Sequence, residues 1–317
     1  MIESSTPDEP SLANLSNPIF RYFAATRPAF FSATLGACLL GVVGSSFSGV
    51  IVKPVLVAVT LLLALLLHAA VNVINDYFDA MSGTDAINTE RLYPFTGGSR
   101  FIQNGVLTLK QTAYFGYGLL LISILGGLWL VAQVGLGLLF IGLVGVLVGW
   151  AYSATPLRLN SRGFGELCVL VGFLGIVVGA DFVQRQTFSL QPLIVAMPYA
   201  LLVTNLLYIN QFPDRKADTA AGKYHLVARL PLNKAVLIYP MLAMLAFLWL
   251  MVMVLQGLLP LLAMLSALPL LLSARASLVL RKFAATSVYL LPAIKWTIAA
   301  MLSHALLLII ILLWEMP

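Results

Sequence analysis

Long apolar runs, separated by shorter polar segments, follow one another along most of the chain. Each run approaches the roughly 17–25 residues that a helix needs to cross a bilayer. We predict nine membrane-spanning helices at residues 29–47, 54–74, 113–133, 136–153, 166–184, 190–212, 234–256, 258–274 and 292–314. A flexible tail, 1–17, would precede a single transmembrane domain, 18–317. The predicted fold class is an all-α polytopic membrane protein, a bundle of nine transmembrane helices.

The amino-acid composition supports a membrane protein. Of the 317 residues, 61% are hydrophobic and 9% are charged, and the mean hydropathy is +0.98. Soluble domains carry about a quarter charged residues. A net charge of +6 would suit a nucleic-acid partner, but membrane topology accounts for the basic residues, so no nucleic acid is expected. The two cysteines lie in apolar runs and do not indicate a disulfide framework.

The distribution of Lys and Arg predicts the orientation in the membrane, because these residues are enriched in short cytoplasmic loops. With a cytoplasmic N-terminus, sixteen of the eighteen Lys and Arg residues fall on the cytoplasmic side, and only Lys53 and Arg185 fall opposite. The N-terminus is therefore predicted inside and the C-terminus outside. The expected location is an inner membrane of bacterial type, with the loops 75–112 and 213–233 facing the cytoplasm.

Two polar stripes mark the cytoplasmic ends of spans two and six. Asn72 precedes Asp76 by four residues, and Asn210 precedes Asp214 by four. Residues four apart share one face of a helix, so each pair predicts a polar stripe if the helix continues. Further polar residues of the same two segments are Asn75, Asp79 and Asp218.

The acids of these stripes predict a Mg²⁺ site. Clustered carboxylates repel one another without a cation, and hard oxygen ligands suit Mg²⁺, whose coordination substrate phosphates complete. Mg²⁺ would stabilise a diphosphate leaving group while the apolar bundle holds a hydrocarbon tail, so the predicted substrate is an isoprenyl diphosphate. The predicted catalytic and metal-binding residues are Asp76, Asp79, Asp214 and Asp218. The predicted substrate-binding residues are Asn72, Asn75, Arg100, Arg158, Asn210 and Lys223.

Other polar residues have simpler interpretations. Asp85 or Glu90, taken alone, is more often a solvated or paired carboxylate. Asp181 and Arg185 lie four residues apart and would form an ion pair at the membrane interface. His68 lies on the first stripe, where a core histidine bonded to a neighbouring span is slightly favoured over a catalytic one.

The polar motifs resemble those of the UbiA superfamily of intramembrane prenyltransferases. The resemblance runs from about Arg21 to the end of the chain. The matching segments are Asn75–Asp79 (NDYFD), Gly83–Asp85, Asn210–Asp218 (NQFPDRKAD) and Ala221–Lys223, with supporting matches at Thr26–Pro28, Thr96–Arg100, Tyr152–Pro156 and Arg162–Glu166. The resemblance implies nine transmembrane helices and two Asp-rich motifs that bind diphosphate through Mg²⁺. One departure is Gly83, where the superfamily often has a third acid, and whether Asp85 substitutes for it is open.

Within the superfamily, Gly83–Asp85 and Asp218–Lys223 are most similar to the 1,4-dihydroxy-2-naphthoate polyprenyltransferases of menaquinone synthesis. This resemblance implies Mg²⁺-dependent transfer of a polyprenyl group to the aromatic acceptor 1,4-dihydroxy-2-naphthoate. Transfer to 4-hydroxybenzoate, homogentisate, haem or chlorophyllide is the alternative within the enzyme class. A cation transporter is the alternative from another class, but it would place acids near mid-span rather than at span ends.

Overall fold

The computed structural model describes residues 8–316, and none of these residues forms a β-strand. Its α-helices are α1 (Pro18–Ala25), α2 (Phe31–Phe47), α3 (Pro54–Ser82), α4 (Thr84–Ile87), α5 (Leu109–Val134), α6 (Gly137–Ser153), α7 (Gly165–Arg185), α8 (Gln191–Ala220), α9 (Leu226–Arg229), α10 (Leu232–Leu255), α11 (Leu270–Phe283) and α12 (Leu291–Trp314). Short 3₁₀ helices are Pro28–Phe30, Leu159–Arg162, Leu261–Ala267 and Ser287–Leu290. Most of the predicted tail's first half lies outside the described residues, and its boundary at residue 17 stays a prediction.

Eight helical segments of residues 8–316 are long and apolar enough to cross a membrane. They comprise α3, α5, α7, α8 and α10, together with α2, α11 and α12, each of which is extended by its preceding 3₁₀ helix. The apolar helix α6 has 17 residues and is shorter than these eight. The predicted all-helical membrane fold is therefore confirmed. The number of crossings and the orientation stay predictions.

Three helical segments differ most in extent from the predicted spans. Helices α3 and α8 continue past the predicted ends at residues 74 and 212, to Ser82 and Ala220. The eighth predicted span, 258–274, is displaced, because the helical segment there runs from Leu261 to Phe283. The predicted ends follow the change from apolar to polar side chains. Backbone hydrogen bonds of a helix do not depend on that change, so the helices carry both polar stripes.

Helix α8 forms the centre of the bundle and is surrounded by α2, α7, α10 and α12. Two fully buried tyrosines join it to its neighbours. Tyr199 Oη donates to the Ala33 carbonyl of α2 at 2.8 Å, and Tyr208 Oη donates to the Ala235 carbonyl of α10 at 2.7 Å. A buried hydroxyl without a partner would be costly, so these bonds fix how α8 sits among the other helices.

Helices α3, α5, α6 and α7 form the other side of the bundle. The loops that follow α3 and α8 meet at one end, because Asp79 of α3 contacts Lys223 just beyond α8. We call this end, at which α3 ends at Ser82 and α8 ends at Ala220, the polar end. Both stripes predicted from the sequence lie here.

Candidate active site

A cavity of about 570 Å³ extends from the polar end into the bundle. Its inner part is lined largely by aliphatic side chains of α3, α5, α6 and α7, among them Leu63, Leu67, Ile124, Leu143 and Ile176. Polar side chains line the cavity at the polar end, and they include Asn72, Asn75, Asp79, Asp85, Asn88, Asn210, Asp214, Asp218 and Lys223. The cavity therefore joins an apolar chamber to a charged mouth.

Asp79 on α3 connects the two stripes. Its Oδ2 accepts hydrogen bonds from Asn75 Nδ2 at 3.2 Å and from Lys223 Nζ at 3.1 Å. Asn75 also donates to Ser153 Oγ of α6 at 2.8 Å, which fixes the orientation of its amide. Because Asn75 precedes Asp79 by four residues, the continued helix places both side chains on one face.

Asp214 and Asp218 lie one turn apart on α8. Asp214 accepts from Asn88 Nδ2 at 2.6 Å and from the Gly97 N–H at 3.2 Å, and both donors belong to the segment between α4 and α5. Asp218 Oδ2 lies 3.0 Å from His225 Nε2, an ion-pair distance without the alignment of a hydrogen bond. Through its two hydrogen bonds, Asp214 holds the segment between α4 and α5 against helix α8.

Lys223 places a positive charge between the acids of α3 and those of α8. Its Nζ lies 3.1 Å from Asp79 Oδ2 and 4.0 Å from Asp218 Oδ1, and its side chain is 15% exposed. Burial acts to lower the pKa of Lys223, but the carboxylates of Asp218 and Asp79 outweigh it and hold this pKa well above its usual value. Lys223 is therefore a fixed cation at the mouth of the cavity.

Three other predicted residues lie on α3 and α8 with different surroundings. Asn72 lines the cavity and donates to the Thr26 carbonyl at 3.0 Å. Asn210 also lines the cavity, and its buried Oδ1 has no hydrogen-bond partner among residues 8–316. Asp76 lies behind the lining, where its Oδ1 accepts from the Ser99 N–H at 3.2 Å. Asn72 and Asp76 thus bond to different segments rather than to each other.

The two predicted arginines are not brought to the cavity. Arg100 donates through Nη1 to the Asp85 carbonyl and lies 3.7 Å from Glu9 Oε2, outside the lining. Arg158 is half-buried in the loop after α6, with a left-handed φ of 43°, and it does not line the cavity either. Of the predicted substrate-binding residues, the structure therefore gathers the three asparagines and Lys223, but not these arginines.

Asp85 lines the cavity, which the sequence pattern left open. A Cβ at Gly98 would lie 2.2 Å from Asp85 Oδ2, and Gly98 has a φ of 74°, so glycine is required where the loop passes this carboxylate. Burial, and then the charges of Asp79 and Asp76, raise the pKa of Asp85 well above its usual range. The adjacent glycines of Thr96–Arg100 were the sequence signal for this close approach.

Asn88 and His225 are further polar residues of the mouth that the sequence analysis did not assign to the site. Each follows an acidic motif within a loop, Asn88 three residues after Asp85 and His225 seven residues after Asp218. His225 also caps α9, since its Nδ1 accepts from the Ala228 N–H at 3.3 Å. Loop residues have no periodic pattern, so only the folded loop shows which of them reach the cavity.

The residues at the mouth fit a divalent cation that is shared with a substrate. Asp79, Asp85, Asp214 and Asp218 present hard oxygen donors at one end of the cavity. Within residues 8–316, no three carboxylate, imidazole or thiol groups converge closely enough to hold an ion by themselves. Mg²⁺ is commonly bound by one or two carboxylates, with water and substrate phosphates as the other ligands. The arrangement suits that mode of binding.

Comparison with known proteins agrees with this geometry. The chain matches the model of the UbiA prenyltransferase family over residues 29–298. It is 29% identical over 240 residues to the 1,4-dihydroxy-2-naphthoate octaprenyltransferase of Bacillus subtilis. The aligned region covers 73% of this chain and 73% of that relative. It is 26% identical over 245 residues to the 2-carboxy-1,4-naphthoquinone phytyltransferase of Synechocystis, covering 73% of this chain and 71% of the relative.

The fold is also shared with a solved structure, a UbiA homologue from Archaeoglobus fulgidus bound to DMAPP and Mg²⁺. The TM-score is 0.63, with 92% of this chain and 99% of that chain covered, at 15% sequence identity. The family match and the curated relatives confirm the predicted prenyltransferase. The chain belongs to the UbiA prenyltransferase family.

Proposed function

We propose that this protein transfers a polyprenyl group from polyprenyl diphosphate to 1,4-dihydroxy-2-naphthoate, with Mg²⁺, in menaquinone biosynthesis. The observation that carries the proposal is the cavity, which joins an aliphatic chamber to a mouth lined by Asp79, Asp214, Asp218 and Lys223. The chamber suits a polyprenyl chain, and the mouth suits a diphosphate with its cation. Similarity to enzymes named for 1,4-dihydroxy-2-naphthoate, from Bacillus subtilis and Escherichia coli, supports this acceptor.

The acids that line the mouth, Asp79, Asp85, Asp214 and Asp218, are the residues proposed to hold Mg²⁺. When bound, the cation supplies positive charge that stabilises the departing diphosphate. Asp76 remains a proposed catalytic residue. In the structure it accepts from the Ser99 N–H and so orients the glycine-containing loop beside the other acids.

Lys223 and the asparagines of the two stripes are proposed to bind the diphosphate. The ammonium group of Lys223 lies at the mouth with several N–H donors, and charged donors of this kind bind phosphate oxygens strongly. As the allylic C–O bond breaks and the diphosphate leaves with its electron pair, an electron-rich ring carbon of the acceptor attacks the allylic carbon. That ring carbon then loses a proton, or its carboxyl group as CO2, which restores the aromatic ring. The aliphatic wall of the chamber excludes water, which would otherwise trap the allylic cation.

Arg27 is the residue proposed to recognise the acceptor. It lines the cavity, its guanidinium lies 4.8 Å from the centre of the Phe30 ring, and no carboxylate lies within ion-pair distance of it among residues 8–316. A carboxylate on the acceptor would provide that partner. Naphthoate, hydroxybenzoate and homogentisate all carry one, so the choice of the naphthoate rests on the relatives.

We also propose that the polar end faces the cytoplasm of a bacterial-type inner membrane. Sixteen of the eighteen Lys and Arg residues lie in segments on the N-terminal side of the membrane under this orientation. The loops of the polar end contain Arg91, Arg100, Lys223 and Arg229, whereas Lys53 precedes α3 at the opposite end. This bias is the one that sets orientation during membrane insertion.

The proposed activity is tested with purified protein, labelled polyprenyl diphosphate and each candidate acceptor in turn. We expect prenylated product with 1,4-dihydroxy-2-naphthoate and not with 4-hydroxybenzoate or homogentisate. An Asp214→Asn variant, purified in the same way, provides the inactive control. If product forms only with another acceptor, 1,4-dihydroxy-2-naphthoate is not the acceptor and the reaction otherwise stands. The absence of product with every acceptor would refute the proposal.

A further inference from the structure

Residues 8–17 lie before α1 and contact the segment between α4 and α5. Glu9 accepts through Oε1 from Arg91 Nε at 2.7 Å and through Oε2 from Asn104 Nδ2 at 3.2 Å. Arg91 Nη2 also lies 2.5 Å from Glu9 Oε1, and Arg100 Nε lies 3.7 Å from Oε2. One carboxylate near the N-terminus therefore contacts two arginines and one amide of this segment.

Each of these arginines also holds a backbone carbonyl beside the cavity. Arg91 Nη1 donates to the Asn88 carbonyl at 2.6 Å, and Arg100 Nη1 donates to the Asp85 carbonyl. The side chains of Asp85 and Asn88 line the mouth, and Asn88 Nδ2 donates to an acid of α8 at 2.6 Å. Glu9 is therefore linked, through one arginine in each case, to two residues that form the mouth.

The two guanidinium groups share one carboxylate, that of Glu9. Burial, and then the charge of Arg91, lower the pKa of Arg100, which shows that the arginines repel each other. Burial acts to raise the pKa of Glu9, but hydrogen bonds from Asn104 and Arg91 outweigh it and lower this pKa below its usual value. Glu9 is thus ionised at neutral pH, and its charge holds both arginines in place. Such a network contributes more than an isolated surface pair.

We infer that Glu9 is a positioning residue of the active site, which acts through Arg91 and Arg100 to hold Asp85 and Asn88 at the mouth of the cavity. Glu9 lies outside the cavity lining and so touches neither the prenyl chain nor the acceptor. Losing its charge should loosen the mouth and weaken binding of the diphosphate, while the chemical step of the bound complex stays unchanged. Only the kinetic part of this inference rests on the proposed function.

Limited trypsin digestion tests the structural part without substrate. Trypsin cleaves after Arg91 and Arg100, and mass spectrometry follows both cuts in the full chain. Glu9→Gln should raise the cleavage rate at these sites by about threefold to fivefold, the upper range for a partly exposed ion pair. Asp8→Asn is the matched control, because Asp8 is exposed, has no ion pair among residues 8–316, and loses the same charge. The control should digest like the parent.

Steady-state kinetics then separate positioning from general destabilisation. In Glu9→Gln, the KM for polyprenyl diphosphate should rise by about threefold to tenfold, while kcat should stay within about twofold of the parent value. Weaker binding of one substrate does not change the rate of the chemical step once the complex has formed. If Glu9 acts through both arginines, adding Glu9→Gln to an Arg91→Gln/Arg100→Gln variant should leave its KM unchanged. Additive effects would show that Glu9 acts by another route.

The outcomes are distinguishable from a failure of the proposed function. Suppose that Glu9→Gln is cleaved faster but the parent protein transfers no prenyl group to any acceptor. This result would support the positioning contact and refute the proposed reaction. Parent-like cleavage and parent-like KM in Glu9→Gln would overturn the inference while leaving the reaction intact. Equal changes in Asp8→Asn would also overturn it, since they would show a non-specific effect of N-terminal charge.

Discussion

Replacing Lys223 by methionine should impair the enzyme far more than the same replacement at Lys216. Lys223→Met keeps an unbranched side chain of similar shape, shorter by the charged terminal group, and so removes the charge that lies between Asp79 and Asp218. Lys216 is seven residues earlier and pairs with Glu90 at the surface, where its side chain is 72% exposed. The two variants therefore compare a buried cation of the site, just beyond α8, with an exposed cation in the last turns of α8.

The contacts of Lys223 give the expected magnitude. Its hydrogen bond to the Asp79 carboxylate measures 3.1 Å, and a hydrogen bond to a charged group contributes about 1.5–3 kcal/mol. If Lys223 makes an equivalent contact to a diphosphate oxygen, its loss should lower kcat/KM by about tenfold to a hundredfold, at ~1.4 kcal/mol for each factor of ten. An exposed pair such as Lys216–Glu90 contributes about 0–1 kcal/mol, so Lys216→Met should stay within about fivefold of the parent.

The assay measures initial rates against polyprenyl diphosphate concentration at saturating Mg²⁺ and acceptor. Thermal unfolding in detergent with EDTA provides a second measurement that needs no substrate. Lys223→Met leaves Asp79 and Asp218 without their cation, so its midpoint temperature should fall further than that of Lys216→Met. Added Mg²⁺ should then raise the midpoint of Lys223→Met more than that of the parent, because the metal replaces the missing charge.

Two results would refute this reasoning. Equal kcat/KM for Lys223→Met and Lys216→Met would show that the buried cation does not contact the substrate. A normal midpoint temperature for Lys223→Met in EDTA would show that Asp79 and Asp218 tolerate each other without a cation. Circular dichroism of each purified variant would confirm that a lost rate does not come from an unfolded protein.

Three further predictions concern the metal, the acids and the orientation. Prenyl transfer should stop in EDTA and return with Mg²⁺, and full activity in the chelator would exclude a metal role. Asp214→Asn should lower turnover by at least about a hundredfold through loss of stabilisation of the leaving group, whereas Glu90→Gln, a surface carboxylate, should cost less than about threefold; similar rates for both would contradict the assigned site. The exposed positions Tyr224 and Ile51 flank opposite ends of the bundle, so Tyr224→Cys should react with impermeant thiol reagents only from the cytoplasmic side and Ile51→Cys only from outside. Both native cysteines are buried, and the reverse labelling pattern would overturn the orientation.

The acids on helices were predictable because they follow the period of the helix. The apolar runs before Asn75 and Asn210 predicted helices, and the spacing of four residues predicted which side chains share a face. Asn75 and Asp79 do form a hydrogen bond across one turn of α3. Asn72 and Asp76 have the same spacing but do not bond to each other, since each has a partner in another segment. Spacing predicts a shared face, but tertiary contacts decide the partner.

The loop residues of the site could not be predicted in this way. Asp85 reaches the cavity because the segment containing Gly97 and Gly98 folds back over it, and this long-range contact has no periodic signal. Arg100 is the opposite case, because the sequence predicted it at the site and the structure places it outside the cavity lining. A basic residue beside an acidic motif suggests a phosphate ligand, yet its guanidinium points to Glu9 and to a backbone carbonyl. The charge of a residue indicates which groups it can bind, whereas the fold of the loop determines which of them it meets.

The charges at the mouth give a physical reason why the proposed substrate, polyprenyl diphosphate, would need a cation to bind. The carboxyl groups of Asp79, Asp214 and Asp218 outnumber the lysine and arginine that line the cavity, Lys223 and Arg27, even if Asp85 holds a proton, as its raised pKa favours at neutral pH. A diphosphate brings further negative charge into a cavity with little water, where repulsion is stronger than in bulk solvent. Neutral donors such as Asn88 and the Gly97 N–H stabilise the acids but do not change this balance. If polyprenyl diphosphate is the substrate, the mouth would repel it until a divalent cation binds, and a preference for a metal–diphosphate complex would follow from the carboxyl groups of Asp79, Asp214 and Asp218.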